Sequence, residues 1–153
     1  MDASKRAEWE RRYRDALQPR LDEPVLAGGL FYRTGGLSAL AIGPLAGLAE
    51  RVSRRLGRRG AGGWPSQFLL AVTPTRVHVF GCSTAYGNVK AKGELAAWSR
   101  AGLTVTAEET ATNTRVVIAL AAEGERVVCS TGKDEQSQSV VYAMQEPVVG
   151  VAA

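Results

Sequence analysis

At 153 residues, with 45% hydrophobic and 22% charged residues, the chain has the size and composition of one globular domain with a packed core. A disordered chain would need fewer apolar residues and a larger net charge, so that class is excluded. The formal net charge of +4 is unevenly placed: Glu50 to Arg59 holds five arginines against one glutamate, a local excess (5 − 1) as large as that of the whole chain.

The amino terminus, Met1-Asp2-Ala3-Ser4-Lys5-Arg6-Ala7-Glu8-Trp9, is charged throughout and has no apolar core of a signal peptide. The longest uncharged run, Thr34 to Ala49, contains Gly35, Gly36, Gly43, Pro44 and Gly47 and is shorter than the ~20 apolar residues of a bilayer-spanning helix. The expectation is a cytoplasmic protein. Cys82 and Cys129 lie in apolar strand-like runs and read as buried small hydrophobes rather than a disulfide.

In chain order, Trp9, Tyr13, Ala16 and Leu17 fall at i, i+4, i+7 and i+8, which predicts an amphipathic helix from about Ser4 to Leu17, stopped by Pro19. Val25 to Tyr32 reads as a first strand, with Gly28-Gly29 marking an expected bulge. Phe68 to Val72 is apolar at every position, as in a strand buried on both faces. Thr73-Pro74-Thr75-Arg76 turns the chain into a return strand in which Val77 and Val79 alternate with His78 and Phe80.

Ser83 to Gly93 reads as a polar loop and Leu95 to Ser99 as a strand. After the turn at Ala101-Gly102, Leu103, Val105 and Ala107 alternate with Thr104, Thr106 and Glu108, and Val116, Ile118 and Leu120 repeat the period. Glu123-Gly124 turns into a strand from Arg126 to Ser130. Asp134 is then placed to cap a short helix carrying Val140, Val141 and Met144, ended by Pro147.

Seven strands joined mostly by hairpins predict an α+β fold. It is a seven-stranded, mainly antiparallel bent sheet or small barrel with N-terminal, inserted and C-terminal helices. The organisation is an N-terminal helical extension (1–22), a domain (23–146) with a helical insertion at about 34–65, and a tail (147–153). The segment Phe68-Leu69-Leu70-Ala71-Val72-Thr73-Pro74-Thr75-Arg76-Val77-His78-Val79-Phe80, within this layout, resembles the hairpin of bacterial pleckstrin-homology-like (PH-like, GRAM-like) domains. The resemblance extends over about residues 23 to 146. It implies a non-enzymatic binding scaffold for membrane lipids or protein partners, without a cofactor. The chain departs from phosphoinositide-binding members, since Phe68 to Thr73 carries no basic residue and the preceding loop is enlarged to about thirty residues.

That enlarged segment carries the candidate site. Gly43-Pro44 opens a predicted helix with Leu45, Leu48, Ala49, Val52 and Leu56 in one stripe. Arg51, Arg54, Arg55 and Arg58 lie opposite or on its flank, followed by Arg59. A basic amphipathic helix suits an anionic membrane surface. The plainer reading is packing over one end of the sheet with solvated arginines, and a protein partner or self-association through the apolar stripe also fits. A small-molecule-binding or catalytic cavity beneath this helix is the alternative from another class. Arg58-Arg59-Gly60-Ala61-Gly62-Gly63 is one arginine-glycine unit without interleaved aromatics, which argues for a linker and against nucleic acid.

His78, the only histidine, has no evident catalytic partner and reads as structural. One histidine and two distant cysteines give no zinc spacing. Ser130-Thr131-Gly132-Lys133-Asp134 lacks the leading glycine and the trailing Ser or Thr of a phosphate loop. Trp9, Trp64 and Trp98 read as packing residues, with Trp64 beside Pro65 a candidate for exposure.

Overall fold

The computed structural model describes residues 2–33, 64–84, 88–121 and 124–146. The predicted inserted helix, and with it Arg51, Arg54, Arg55, Arg58 and Arg59, lies outside the described residues, as does the tail from 147 onward.

Helix α1 (Ala3–Leu17) starts where the Asp2 carboxylate accepts the Lys5 amide at 2.8 Å, which satisfies one of the otherwise unpaired N-terminal donors. Its exposed side is laced by i,i+4 pairs, Arg6 with Glu10 at 3.0 Å and Arg12 with Glu8 at 2.6 Å. Its predicted apolar stripe buries Tyr13 and Leu17. Seven strands follow: β1 (Ala27–Arg33), β2 (Gln67–Val72), β3 (Arg76–Ser83), β4 (Lys90–Ser99), β5 (Leu103–Glu109), β6 (Thr114–Leu120) and β7 (Glu125–Thr131). Helix α2 (Glu135–Gln145) closes the described chain, with Asp134 accepting the Ser137 amide at 3.0 Å as its cap.

The strands form one sheet in the order β4-β3-β2-β1-β7-β6-β5, and every pairing is antiparallel. The order is two meanders joined where β1 meets β7, through Tyr32 opposite Ser130 and Arg33 opposite Cys129. Between the two expectations of a bent sheet and a barrel, the hydrogen bonding gives a sheet with two ends, β4 and β5, rather than a closed cylinder. It is nonetheless folded over. Phe68, Leu70, Val77 and Val79 from one half share a single apolar cluster with Val116, Ile118, Val127 and Cys129 from the other, and α2 adds Val140, Val141 and Met144.

Helix α1 is on the other side of the sheet. Tyr13 and Leu17 pack with Val25, Leu69, Ala71 and Phe80, which explains why β2 is apolar at consecutive positions: both of its faces are covered.

Gly28-Gly29 is not a bulge. Pairing of β1 with β2 runs without interruption from Ala27 opposite Val72 to Tyr32 opposite Gln67. The glycines admit the helices instead: a Cβ at Gly28 would lie 2.6 Å from Leu17 of α1, and one at Gly29 3.0 Å from Val140 of α2. Two adjacent positions on a strand face opposite sides, so the pair lets one helix approach from each.

Two more expectations change. The strand expected at Leu95 to Ser99 begins at Lys90, inside the expected polar loop, and its pairing with β3 shifts register on both sides of Phe80. Trp64 is buried at 3% exposure, stacked on Trp98 at 5.9 Å and edge-on to Phe68 at 5.0 Å. Cys129 is buried, whereas Cys82 is half-buried; both are free thiols.

Candidate anionic-partner surface

Antiparallel pairing brings the last residues of β1 and β3 and the first residues of β2 and β4 to one end of the four-stranded half. Residues 34–63 depart from and return to this end. The described residues there carry the cations Arg33, Lys90 and Lys92, and no acidic residue lies among them between 31 and 33, 64 and 68, 81 and 84, or 88 and 93. All three side chains are exposed. Arg33 donates to the Trp64 carbonyl at 3.0 Å, which ties the end of β1 to the approach of β2. Among the described residues, Lys90 and Lys92 form no ion pair. Tyr32, 41% exposed, stands beside Arg33.

A shallow depression of about 380 Å³ adjoins this end, between α1 and the start of β4. It is lined by Arg12, Asp15, Ala16, Asn88, Val89 and Lys90. The Arg12 guanidinium sits 4.9 Å above the Trp9 ring while holding Glu8, which fixes a cation on the rim.

The opposite end of the same strands is built differently. The Glu23 carboxylate accepts from Thr75 Oγ1 at 2.6 Å and Thr73 Oγ1 at 3.0 Å. The Thr75 bond above all, with the Thr73 bond and the charges of His78 and Arg76 behind it, holds Glu23 below the usual carboxylate range against the opposing effect of burial. Arg100, 7% exposed, donates to four backbone carbonyls: Thr73 at 3.1 Å, Pro74 at 3.2 Å, Ala143 at 2.7 Å and Glu146 at 3.0 Å. Sequence reasoning missed Arg100 because it belongs to no periodic pattern. The one available signal is that it is the only basic residue between Lys92 and Arg115.

His78 is on the outer face of β3, its ring 6.2 Å from that of Phe80 and its Nδ1 3.5 Å from the Glu94 carboxylate. Among the described residues no three His, Cys, Asp or Glu side chains converge to hold a metal ion, and no helix is long and apolar enough to cross a membrane. A second concavity, a groove of about 440 Å³ between α1 and α2 over the start of β1, is lined by residues that include Arg14, Leu26, Gln136, Tyr142 and Glu146. Its floor is held by Gln136, which donates to the Gly28 carbonyl at 2.6 Å.

Comparison with protein families, with curated proteins and with solved structures returns no match. Function therefore rests on the geometry alone.

Proposed function

We propose that the chain is a non-enzymatic interaction module of PH-like fold that docks an anionic membrane surface. The fold reading is supported by the two antiparallel meanders, the helix that follows β7 and an interior filled by apolar side chains. The observation that carries the docking reading is the end of the sheet just described. Exposed Arg33, Lys90 and Lys92 stand there, and the segment bearing Arg51, Arg54, Arg55, Arg58 and Arg59 leaves from the same place. Cations near a charged bilayer contribute about 1 kcal/mol each, and Tyr32 adds an amphipathic ring of the kind that sits at headgroup level.

Co-sedimentation with phosphatidylcholine vesicles, with and without phosphatidylserine, at low and high salt tests this. Binding should need the anionic lipid and weaken with salt. Replacing Lys90 and Lys92 together by alanine removes about 2 kcal/mol, roughly a 30-fold loss of affinity. Binding that is absent, or equal on neutral vesicles, refutes membrane docking.

A small-molecule reading has one observation behind it, the groove between α1 and α2, whose volume falls in the range of about 300–1,000 Å³ usual for ligand sites. A soluble amphiphile that raises the melting temperature, with the rise abolished by Leu26→Asp, would favour it.

A further inference from the structure

The two ends of the sheet differ in a way that singles out β5. Edge strands invite pairing with other chains, and they are blunted by bulges, lysines, prolines or cover. The β4 edge is blunted: its pairing with β3 shifts register twice, and it carries Gly93 and the two lysines Lys90 and Lys92. The β5 edge is not. Leu103 to Glu109 pair with Leu120 to Thr114 without a shift, and the strand holds no proline, glycine or lysine.

The phase of the ladder shows which backbone groups face outward. Ala121 donates to the Gly102 carbonyl at 3.0 Å and Thr110 to the Asn113 carbonyl at 2.8 Å, so the even-numbered residues bond to β6. The N–H and C=O groups of Leu103, Val105, Ala107 and Glu109 therefore point away from the sheet. Among the described residues one side chain reaches them: Gln145 of α2 donates to the Val105 carbonyl at 3.2 Å. Thr104, Thr106, Ala107, Glu108 and Glu109 are exposed.

We propose that this edge pairs with the same edge of a second copy, antiparallel about a two-fold axis through Thr106. Strand length and the placing of the glutamates together choose the register. With Thr106 opposite Thr106 of the second copy, Glu108 faces Thr104 of the second copy, Glu109 faces Leu103 of the second copy, and Val105 faces Ala107 of the second copy. No glutamate meets another, and a Thr–Thr pair sits at the centre. Moving the axis to Ala107 keeps the glutamates apart but sets Leu103 and Thr104 against Ala111 and Thr110, beyond the strand, and moving it on to Glu108 sets Glu108 against itself. Moving it to Val105 leaves Glu108 and Glu109 facing Gly102 and Ala101, so only the axis through Thr106 pairs all seven residues of the strand. Arg115 stands directly opposite Glu108 on β6 of the same chain. The strand is thus self-complementary, as an isologous interface requires. Gln145 is the stopper that pairing displaces from Val105.

Size-exclusion chromatography with light scattering over a concentration series tests the pairing. The wild-type chain should move from its 16.3 kDa monomer toward twice that mass. Ala107→Pro should stay at the monomer mass with an unchanged far-UV spectrum, because the amide it removes faces outward and proline is tolerated there. Thr106→Lys and Thr106→Glu should each be monomeric alone, and an equimolar mixture should recover the doubled mass. A wild-type chain that is monomeric at several hundred micromolar overturns the proposal, as does a doubled mass retained by Ala107→Pro or by Thr106→Lys alone. If Ala107→Pro alters the spectrum, the exposed Thr106 pair decides: a mixture that stays monomeric counts against the two-fold strand.

Discussion

Arg100 is the residue whose loss should cost most per atom removed. Its guanidinium is a cation in a nearly closed site whose bonded partners are four carbonyl oxygens, those of Thr73 and Pro74 from the β2–β3 turn and of Ala143 and Glu146 from the last turn of α2. Its own amide bonds the Thr75 carbonyl at 2.9 Å. It therefore ties three segments together at a place where β4 and β5 make no ladder with each other, and it neutralises helix-end carbonyls that carry partial negative charge. Hydrogen bonds to a charged group contribute about 1.5–3 kcal/mol each, and a buried carbonyl left without its donor costs about 1–3 kcal/mol. With water able to replace the donor at some of the four carbonyls, removal of the guanidinium should lose about 3–5 kcal/mol. Arg100→Met should fall in that range. With a urea slope of about 2 kcal/mol per molar, the unfolding midpoint drops by roughly 2 M at unchanged slope, read by far-UV circular dichroism. Arg100→Lys keeps the charge but offers three donors from a single point, so it should fall between the two. A loss below about 1 kcal/mol for Arg100→Met, or a lysine variant as stable as wild type, would refute the clamp.

Other perturbations follow from the same geometry. Gly28→Val drives side-chain atoms into the fully buried Leu17 and should cost about 1–3 kcal/mol by overpacking, measured as a lowered melting temperature; an unchanged melting temperature would show that α1 is not seated on β1. Glu23 titrates below its unfolded value, so the unfolded chain takes up the proton first as pH falls. Its contribution is present above the ordinary carboxylate range and lost on acidification, and Glu23→Gln should flatten the acid limb of stability between about pH 5 and 3. Burial pushes the Cys129 thiol and the Tyr13 phenol both up to about 12. The unfolded chain releases those protons first, so stability should decline as pH rises through about 9 and above. In the native state a thiol reagent at pH 8 should modify Cys82 and spare Cys129, and both should react in denaturant; rapid native labelling of Cys129 would contradict its burial.

Where the sequence carried a strong period, the structure agrees with it. Residues 116–120 bury alternate side chains as their pattern requires, the β2–β3 hairpin forms around Pro74, and Asp134 caps α2. The failures share a cause: a residue type that serves two structural purposes. A glycine pair in a strand suits a bulge and also suits close approach of helices, and only the tertiary packing of Leu17 and Val140 distinguishes them. The first half of β4, Lys90 to Glu94, has no apolar alternation because it is an edge strand with shifted register, so it read as a loop. The candidate surface is hidden with it, since Lys90 and Lys92 reach the same end of the sheet as Arg33 only through the pairing of β1 with β2, β2 with β3 and β3 with β4. Arg100 was invisible for a related reason: its partners are carbonyls 26 to 46 residues away in the chain.

The contrast between the two ends of the four-stranded half separates structure from availability. At the turn end Gln18, Glu23 and four of the carbonyls are engaged internally. Gln18 donates to the Glu23 carbonyl at 2.9 Å and accepts the Val25 amide at 2.8 Å, Glu23 holds two threonines, and Arg100 holds four carbonyls. Groups so satisfied cannot engage a partner without first breaking the fold. At the other end Lys90 and Lys92 are exposed and without ion pairs among the described residues, so their removal leaves nothing unsatisfied behind. The two ends should therefore dissociate in experiment. Lys90→Ala with Lys92→Ala should change stability by less than about 0.5 kcal/mol while weakening vesicle binding. Arg100→Lys should lower stability and leave the vesicle affinity of the folded fraction unchanged. If the lysine pair proved stabilising to the fold by more than about 1 kcal/mol, those cations would be structural, and the basic end would lose its claim to be a docking surface.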